Sequence, residues 1–378
     1  MTQYPVVTWS EAGETRSARW RSESGVPPPS QVVIADDTIS ANTAYRLACE
    51  GTALLWRGDF QNARQLLLAL GRRADRKPRN PPDLKSLSTG EIFQLHRQTQ
   101  AQRARVLGML LLPFEADHGV PLRRAPDVRL TCNEAYGEAD EPYLASMREL
   151  LGLIGAHEWR KNGVEIKALG DRIHPHYGVF PPVRNEYVDL VAEAPLPKTH
   201  ALAFDIGTGS GILAAVLARR GIANIVATDN NLRALACARD NLVRLGLNEQ
   251  VEVREADLFP AGRAPLIVCN PPWVPAQPSS ALEHAVYDPD SRMLRGFLGG
   301  LAAHLDPEGE GWLLLSDIAE HLGLRTRAEL LATIESAGLK IVGRIDVRPT
   351  HRKASAASDP LHAARAAEIT SLWRLAVR

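Results

Sequence analysis

The spacing of apolar residues changes along the chain near residue 160. Before that point, apolar residues recur mostly three or four positions apart, which predicts a mainly helical domain over residues 39–160. The helices predicted in it cover residues 40–76, 90–112 and 143–153. From residue 199 to 378, short β-rich runs alternate with amphipathic stretches, which is typical of a doubly wound, Rossmann-like α/β sheet.

Other segments complete the predicted organisation. Residues 1–38 are polar and rich in proline, which predicts a loosely ordered arm. Residues 161–198 contain a short alternating stretch, predicted to form a hairpin, and then a proline-rich linker. Residues 351–367 are basic at first and then rich in small residues, and we expect an insertion of unassigned role between the last two strands.

Charge and composition bear on the location of the protein and on its possible partners. The chain has 44 Lys and Arg against 44 Asp and Glu, so net charge gives no argument for nucleic acid or an anionic membrane. Apolar runs stay below the roughly 18–20 residues of a membrane span, and the N-terminus lacks a secretory pattern. Four cysteines lie far apart, and His174 and His176 have no third ligand nearby. The sequence predicts a cytoplasmic protein with reduced thiols and without a metal.

A glycine-rich turn follows the first strand predicted in the C-terminal domain. It contains Asp205, Gly207, Thr208, Gly209 and Gly211, so its spacing is G-x-G-x-G. The dinucleotide-binding spacing G-x-G-x-x-G differs, and a carboxylate at the strand end would repel a diphosphate. We therefore expect the turn to bind a ligand that places a cationic aminoacyl group next to the Asp205 carboxylate.

Two further carboxylates end the next two predicted strands. Asp229 can accept both hydroxyls of a ribose, and Asp257 can accept the exocyclic amine of an adenine. Leu258 and Phe259 can pack on the adenine ring. A ligand with an adenosine, an aminoacyl end and no phosphate is S-adenosylmethionine, which is the predicted cofactor.

A rigid polar loop follows the fourth predicted strand, residues 266–269. Its residues are Asn270, Pro271, Pro272 and Trp273. The two prolines have no N–H for a sheet ladder and restrict the backbone, so they end the strand and stiffen the loop. An amide and an indole ring are thereby held at the carboxyl end of a strand, where ligands bind in open α/β sheets.

In their order and spacing, DIGTGSG, Asp229, EADLF (255–259) and NPPW (270–273) resemble the class I S-adenosylmethionine-dependent methyltransferases. The resemblance covers about residues 164–378 and looks closest to the glutamine-N5 methyltransferases of peptide-release factors. Those enzymes share a hairpin and a proline-rich segment, here residues 180–186. The family usually has Tyr where Trp273 stands, its P-R-P core is absent, and residues 1–160 show no match to its helical bundle. The resemblance adds Phe180, Asn230 and Asn270 to the predicted cofactor residues.

The NPPW motif implies an acceptor nitrogen conjugated to a π system. By that resemblance, the Asn270 side-chain oxygen and the Pro271 carbonyl accept the two N–H groups, and Trp273 stacks on the planar group. The predicted catalytic residues are Asn270, Pro271, Pro272 and Trp273.

Several acceptors fit this motif. The predicted function is methyl transfer to a protein glutamine side chain. The alternative is an amino group of an RNA or DNA base, gripped by basic segments at 72–79, 97–105 and 123–124. A small-molecule acceptor and a non-catalytic binding module are further alternatives. Specificity residues are expected at 284–296.

Overall fold

The structure, a computed structural model, describes residues 4–76, 83–278, 283, 285–349 and 359–378. The chain divides into two compact units. The first comprises Met1–Ser86 and Gln94–Glu158, and the second comprises Leu87–Phe93 and Trp159–Arg378. The end of the predicted basic segment 72–79, His284, and the basic start of the 351–367 insertion lie outside the described residues.

The first unit contains a six-stranded sheet in the order β1-β2-β6-β5-β4-β3. Its strands are β1 Val6–Glu11, β2 Glu14–Trp20, β3 Gln31–Ala35, β4 Thr52–Trp56, β5 Leu110–Phe114 and β6 Tyr143–Ser146. The helices in this part of the chain are α1 Ala41–Cys49, α2 Phe60–Ala74, α3 Thr89–Gly108, α4 Arg129–Tyr136 and α5 Met147–Asn162. Strands β3, β4 and β5 run parallel, whereas β6 is antiparallel to β5.

The prediction of a loosely ordered arm over residues 1–38 is wrong. Strands β1 and β2 form an antiparallel hairpin, and β3 adds an edge strand further along. Val7 and Trp9 alternate with exposed residues, so they form the inward face of β1. Ala12 and Gly13 both have positive φ and make the two-residue turn, a geometry that matches the twist of a hairpin. The polar, proline-rich composition of this segment concealed the hairpin, because only two apolar residues mark its inward face.

The first unit is also not simply helical. Residues 52–56 and 110–112 are predicted to be helical, but they belong to β4 and β5, in which every residue is buried. Residues 143–146 form a strand ahead of α5, and α4 lies between the predicted helices 90–112 and 143–153. A short, wholly apolar run has no period that separates a buried strand from a buried helix, so these segments were misassigned.

The second unit confirms the predicted doubly wound α/β sheet. Its seven strands lie in the order β11-β10-β9-β12-β13-β15-β14. They are β9 Leu202–Ile206, β10 Asn224–Asp229, β11 Val251–Glu255, β12 Ala264–Cys269, β13 Leu305–Ser316, β14 Leu339–Val347 and β15 Thr370–Val377. The predicted hairpin is present as β7 Val164–Ile166 and β8 Asp171–Ile173.

Helices cover both faces of this sheet. They are α6 Glu186–Glu193, α7 Ile212–Arg219, α8 Leu232–Arg244, α9 Arg292–His304, α10 Ile318–His321, α11 Arg327–Ser336 and α12 His362–Ala367. Residues of α6 and α7 pack in one buried apolar cluster, and residues of α9 and α11 pack in another. In the described parts of the chain, no helix combines the length and the apolar character that crossing a membrane requires.

The winding of the sheet reverses between β9 and β12, which are neighbours although two strands separate them in sequence. In the parallel register, Cys269 lies opposite Ile206. The residues that follow, Asn270 and Gly207, therefore leave the sheet at the same level. A crevice at the carboxyl ends of strands where the order reverses is the usual ligand site of such sheets. Strand β15 is antiparallel to β13 and begins at this same edge, where Thr370 lies opposite Ser316.

Candidate active site

The glycine loop after β9 depends on backbone conformations that disfavour larger residues. Gly207, Gly209 and Gly211 have φ values of +70°, +56° and +81°. A Cβ on Gly207 would collide with Met293 Cε, and one on Gly211 would lie 3.2 Å from Ala238 Cα. The loop therefore packs closely against α8 and the start of α9.

Asp205 is buried beneath this loop and is only partly satisfied. Its Oδ2 accepts hydrogen bonds from Thr208 Oγ1 at 2.6 Å and from the Ala214 N–H at 3.1 Å. Its Oδ1 is also buried but accepts no hydrogen bond from any residue that the structure describes. Burial raises the pKa of Asp205 from 3.8 to about 6, although the two hydrogen bonds act in the opposite direction. A buried carboxyl oxygen without a donor fits the cationic amino group of an aminoacyl ligand.

Asp229 joins the glycine loop to the start of α8. Its Oδ2 accepts the Gly209 N–H at 3.0 Å, and its Oδ1 accepts the Asn231 N–H at 2.9 Å. Burial raises the pKa of Asp229, and these backbone bonds, with one from the exposed Asn230, oppose the shift. A carboxylate has about four acceptor sites, so these three bonds leave one of them for a ribose hydroxyl.

Asp257 is exposed at the end of β11, and its Oδ2 contacts Arg292 NH2 at 2.9 Å. Leu258 has a positive φ of 77°, and its carbonyl accepts the Thr228 hydroxyl at 2.6 Å. The strained backbone holds the Leu258 side chain toward α9 at Gly296. Both residues therefore lie where β10 and β11 end beside α9.

The ring of Phe259, which was expected to pack on adenine, is stacked on two other rings. Its partners are Phe297 and His304, with centroids 5.8 and 4.5 Å away. The ring belongs to the packing against α9, which leaves Leu258 as the apolar side chain at this end of the site.

Asn270 and Trp273 contact each other directly. Trp273 Nε1 donates a hydrogen bond to Asn270 Oδ1 at 2.9 Å. The half-buried indole meets Tyr187 edge to face, with ring centroids 6.3 Å apart, and the Arg184 guanidinium carbon lies 5.5 Å from the Trp273 ring centroid. The Asn270 amide and the Trp273 indole thus lie together in the NPPW loop. The hydrogen bond between them is a feature that the sequence did not predict.

Two residues at this edge escaped the sequence-based prediction. Arg184 Nη2 lies 3.0 Å from Glu368 Oε1, and the same oxygen accepts a hydrogen bond from the Ser316 hydroxyl at 2.7 Å. Glu368 is only 2% exposed. Arg184 could have been noticed as a charged residue within the proline-rich segment, whereas Glu368, 184 positions further along, carried no signal.

The proline-rich segment lies against α8. Val179 packs on Ala234 and Cys237, and the Arg233 guanidinium lies 5.5 Å from the Tyr177 ring. Phe180, a predicted cofactor residue, follows directly and is half-buried. The segment therefore borders α8, the helix that starts shortly after Asp229.

The histidines considered as metal ligands have other partners. His174 Nδ1 contacts the Arg160 carbonyl at 2.7 Å, and His176 Nε2 contacts Asp240 Oδ2 at 2.9 Å. In those parts of the chain that the structure describes, no group of three or more His, Cys, Asp or Glu residues could hold a metal ion. The four cysteines are free thiols.

Comparison with known families agrees with this arrangement. Residues 174–319 match the family model described as the methyltransferase small domain. The second unit therefore contains a methyltransferase domain of this kind. The matched stretch begins at His174 and ends within α10, so it contains the glycine loop, the three carboxylates and the NPPW motif.

Three curated relatives illustrate the range of the similarity. The release factor glutamine methyltransferase of Cereibacter sphaeroides is 34% identical over 171 residues, which is 42% of this chain and 58% of the relative. The ribosomal protein L11 methyltransferase of Sorangium cellulosum is 27% identical over 258 residues, 62% of this chain and 73% of the relative. The tRNA1(Val) (adenine(37)-N6)-methyltransferase of Cytophaga hutchinsonii is 37% identical over 90 residues, 22% of this chain and 38% of the relative. The chain spans less than two thirds of the release-factor relative.

Proposed function

We propose that this protein transfers the methyl group of S-adenosylmethionine to a planar amide or amino nitrogen, and that the acceptor is a glutamine side chain of a protein. The observation that carries the proposal is the adjacency of β9 and β12. It places Asp205, with its unsatisfied carboxyl oxygen, and Asn270 at one edge of the sheet. The Asp205 carboxyl would bind the cationic amino group of the cofactor, and the Asn270 amide oxygen would bind an N–H group of the acceptor.

The residues of the cofactor half fit S-adenosylmethionine. Asp205 would hold the amino group, and Asp229 would hold a ribose hydroxyl. Asp257 and Leu258 would contact the adenine, while the glycine loop allows close approach of the ligand. When bound, the cofactor supplies a methyl group made electrophilic by a sulfonium.

The acceptor half compensates for a weak nucleophile. An amide or aromatic amine nitrogen has a delocalised lone pair, so orientation and charge stabilisation must do much of the catalysis. The Asn270 oxygen and the Pro271 carbonyl would accept the two N–H groups, and Pro272 keeps the loop rigid. The Asn270 and Pro271 oxygens would then face the positive charge that develops on the acceptor nitrogen during transfer. A strong base is not required, because the acceptor becomes acidic once it carries that charge.

Two observations favour a protein acceptor over a nucleic acid. The matches to relatives named for release-factor and ribosomal-protein methylation are longer than the match to the tRNA enzyme. The predicted basic segments are also partly neutralised within the first unit. Arg103 pairs with Asp75 at 2.7 Å, and Arg123 and Arg124 both pair with the buried Asp59.

The alternative acceptor is the amino group of an RNA or DNA base. It is favoured by the similarity to a tRNA adenine-N6 methyltransferase and by the chemistry, because an adenine amine is as planar and as weakly nucleophilic as an amide. A flipped base could stack on Trp273 in the same place.

We further propose that the first unit recognises the acceptor. It contains a cleft of about 400 Å³ beside the β1–β2 hairpin, lined by Trp9, Arg16, Arg57, Phe114 and Tyr143, among others. Strand β2 pairs with β6 only at Arg19 and Trp20, so the two strands diverge along this cleft. The Phe114 and Tyr143 rings are almost fully buried, so the accessible parts of the cleft are the exposed Arg16 and the diverging strand edges, which are suited to binding a peptide segment.

The test is tritiated methyl transfer from S-adenosylmethionine into a cell lysate, followed by separate nuclease and protease treatments. We expect the label to survive nuclease, to be lost to protease, and to be recovered as methylated glutamine after complete proteolytic digestion. Label that is lost to nuclease would refute the protein acceptor and support the alternative. Label in neither polymer would indicate a small molecule, and no label at all would indicate a binding module. The matched control is Asn270→Ala, which should bind the cofactor but label the lysate much more slowly than the wild type.

A further inference from the structure

The hydrogen bond between Trp273 and Asn270 constrains which way the Asn270 amide points. An indole N–H is a donor only, so it can pair with the amide oxygen but not with the amide NH2. The 2.9 Å contact to Oδ1 therefore favours one of the two orientations of a side chain that could otherwise flip. Of the two lone pairs on Oδ1, one is used by the indole and one remains.

On the basis of the function proposed above, we propose that Trp273 is a positioning residue for Asn270, and that Arg184 and Glu368 hold Trp273 in place. In the orientation that Trp273 favours, Oδ1 can accept an N–H of the methyl acceptor. In the flipped orientation, the NH2 group would face the acceptor N–H, and two donors would oppose each other. A phenylalanine at this position would retain a flat ring but could not select the orientation.

Trp273 is in turn held by groups from remote parts of the chain. Tyr187, which is 6% exposed, contacts the indole edge to face with an interplanar angle of 88°. The Arg184 guanidinium lies against the indole and pairs with Glu368. A cation near a ring face is attracted by the ring quadrupole, so Arg184 links the buried carboxylate to the indole.

Glu368 is the anchor of this chain of contacts. Glu368 lies two residues before Thr370, where β15 begins. The Ser316 hydroxyl, at the end of β13, donates a hydrogen bond to Glu368 at 2.7 Å. Because Glu368 is buried, removal of Arg184 would leave its charge paired by the Ser316 hydroxyl alone, which is unfavourable. The pair is therefore expected to keep Arg184, and through it the indole, in one arrangement.

A double-mutant cycle tests whether Trp273 acts through Asn270. Trp273→Phe retains the ring and should bind S-adenosylmethionine with unchanged affinity in calorimetry. Its rate of tritium transfer into the lysate acceptor should fall about tenfold, equivalent to about 1.4 kcal/mol. In the Asn270→Ala background, Trp273→Phe should produce no further loss. If the two losses multiply, Trp273 acts independently of Asn270 and the proposal is overturned.

The control for the loss of an indole hydrogen bond is Trp312→Phe. Trp312 is fully buried, and its Nε1 donates to Glu310 at 3.0 Å, so the chemical change is the same. Trp312→Phe should leave the transfer rate unchanged when the protein remains folded by circular dichroism. Arg184→Gln should reduce transfer as Trp273→Phe does, again without changing cofactor affinity. A normal rate in Arg184→Gln would overturn the role assigned to the Arg184–Glu368 pair.

A second measurement does not require activity. In protein labelled with ¹⁵N at tryptophan, the Trp273 indole signal is identified by its absence from Trp273→Phe. Its N–H should exchange with solvent about tenfold faster in Asn270→Ala than in the wild type, because its acceptor is gone. Equal exchange in the two proteins would overturn the proposal. If the wild type methylates nothing while the exchange rates differ as expected, the proposed function fails and the hydrogen bond stands.

Discussion

The substitution Asp205→Asn tests the cofactor site and the buried carboxyl in a single change. The asparagine has nearly the same shape, and its oxygen can still accept from Thr208 Oγ1 and from the Ala214 N–H. What it loses is a negative charge held in a buried position. We expect Asp205→Asn to bind S-adenosylmethionine much more weakly than the wild type. Without ligand, we expect it to be more stable at pH 7.5.

The size of the stability change follows from the pKa. Burial raises the pKa of Asp205 from 3.8 to about 6, so the folded protein binds this proton more tightly than the unfolded chain. The stabilisation that protonation gives is complete below about pH 3.8 and is lost as the pH rises through 6. At pH 7.5 the charged carboxyl therefore costs about 3 kcal/mol relative to a neutral group. Asparagine removes this cost, and its advantage should shrink as the pH falls toward 5.

Thermal unfolding of both proteins, without ligand, from pH 5 to pH 8 measures this effect. The variant should melt a few degrees higher at pH 7.5, and this difference in melting temperature should fall to about half by pH 5. Calorimetry at pH 6 in buffers of different ionisation enthalpy gives a second readout. A cationic amino group at Asp205 lowers its pKa, so the wild type should release about half a proton on binding S-adenosylmethionine. An Asp205→Asn variant less stable at pH 7.5, or a difference independent of pH, would refute this reasoning.

Three further substitutions test other parts of the site. Asp229→Ala should weaken S-adenosylmethionine binding at least about tenfold in calorimetry, because it removes the acceptor of a ribose hydroxyl. Asn270→Ala should reduce methyl transfer about 10²- to 10³-fold, as loss of a charge-stabilising group does, and should leave cofactor affinity nearly unchanged. Gly211→Ala should lower the free energy of unfolding by about 1–2 kcal/mol or more in denaturant titration. Its φ is +81°, and the new Cβ would press on the Ala238 backbone.

Each of these has an outcome that would contradict it. Normal cofactor affinity in Asp229→Ala would remove Asp229 from the binding site, and normal transfer by Asn270→Ala would remove Asn270 from the acceptor site. For Gly211→Ala, the control is Gly246→Ala, which also has a positive φ, +67°, but has no atom within 4 Å of the new Cβ. Equal destabilisation of the two variants would show that the contact with Ala238 is unimportant.

The cofactor half of the site could be predicted because its geometry is local. Asp205, Asp229 and Asp257 each stand at or just beyond the end of a predicted strand, and carboxyl ends of parallel strands meet at one edge of a sheet. Position in the sequence was therefore sufficient to bring them together. Asn270 belongs to the same group, because β12 is β9's neighbour across the point where the winding reverses.

The remaining features depend on contacts that no local pattern encodes. The β4 sequence TALLW is apolar after Thr52, is buried throughout and follows a helix, so neither period two nor period 3.6 distinguishes it. The unsatisfied Oδ1 of Asp205 depends on which donors the loop happens to direct at it. The pairing of Arg184 with Glu368 joins two segments at opposite ends of the second unit's sequence. Such pairs become visible only once the order of the strands is known.

The insertion of β15 between β13 and β14 has a consequence for how the protein is made. Strand β14 pairs only with β15, so while residues 339–347 leave the ribosome they have no partner in the sheet. Until β15 follows, the buried strand β13 has an open edge, which can pair with other chains. Glu368 emerges in the same late step. Because Leu372, Trp373 and Leu375 of β15 also lie in the buried core, the sheet is complete, and Trp273 gains the support of the Arg184–Glu368 pair, only after β15 has been made.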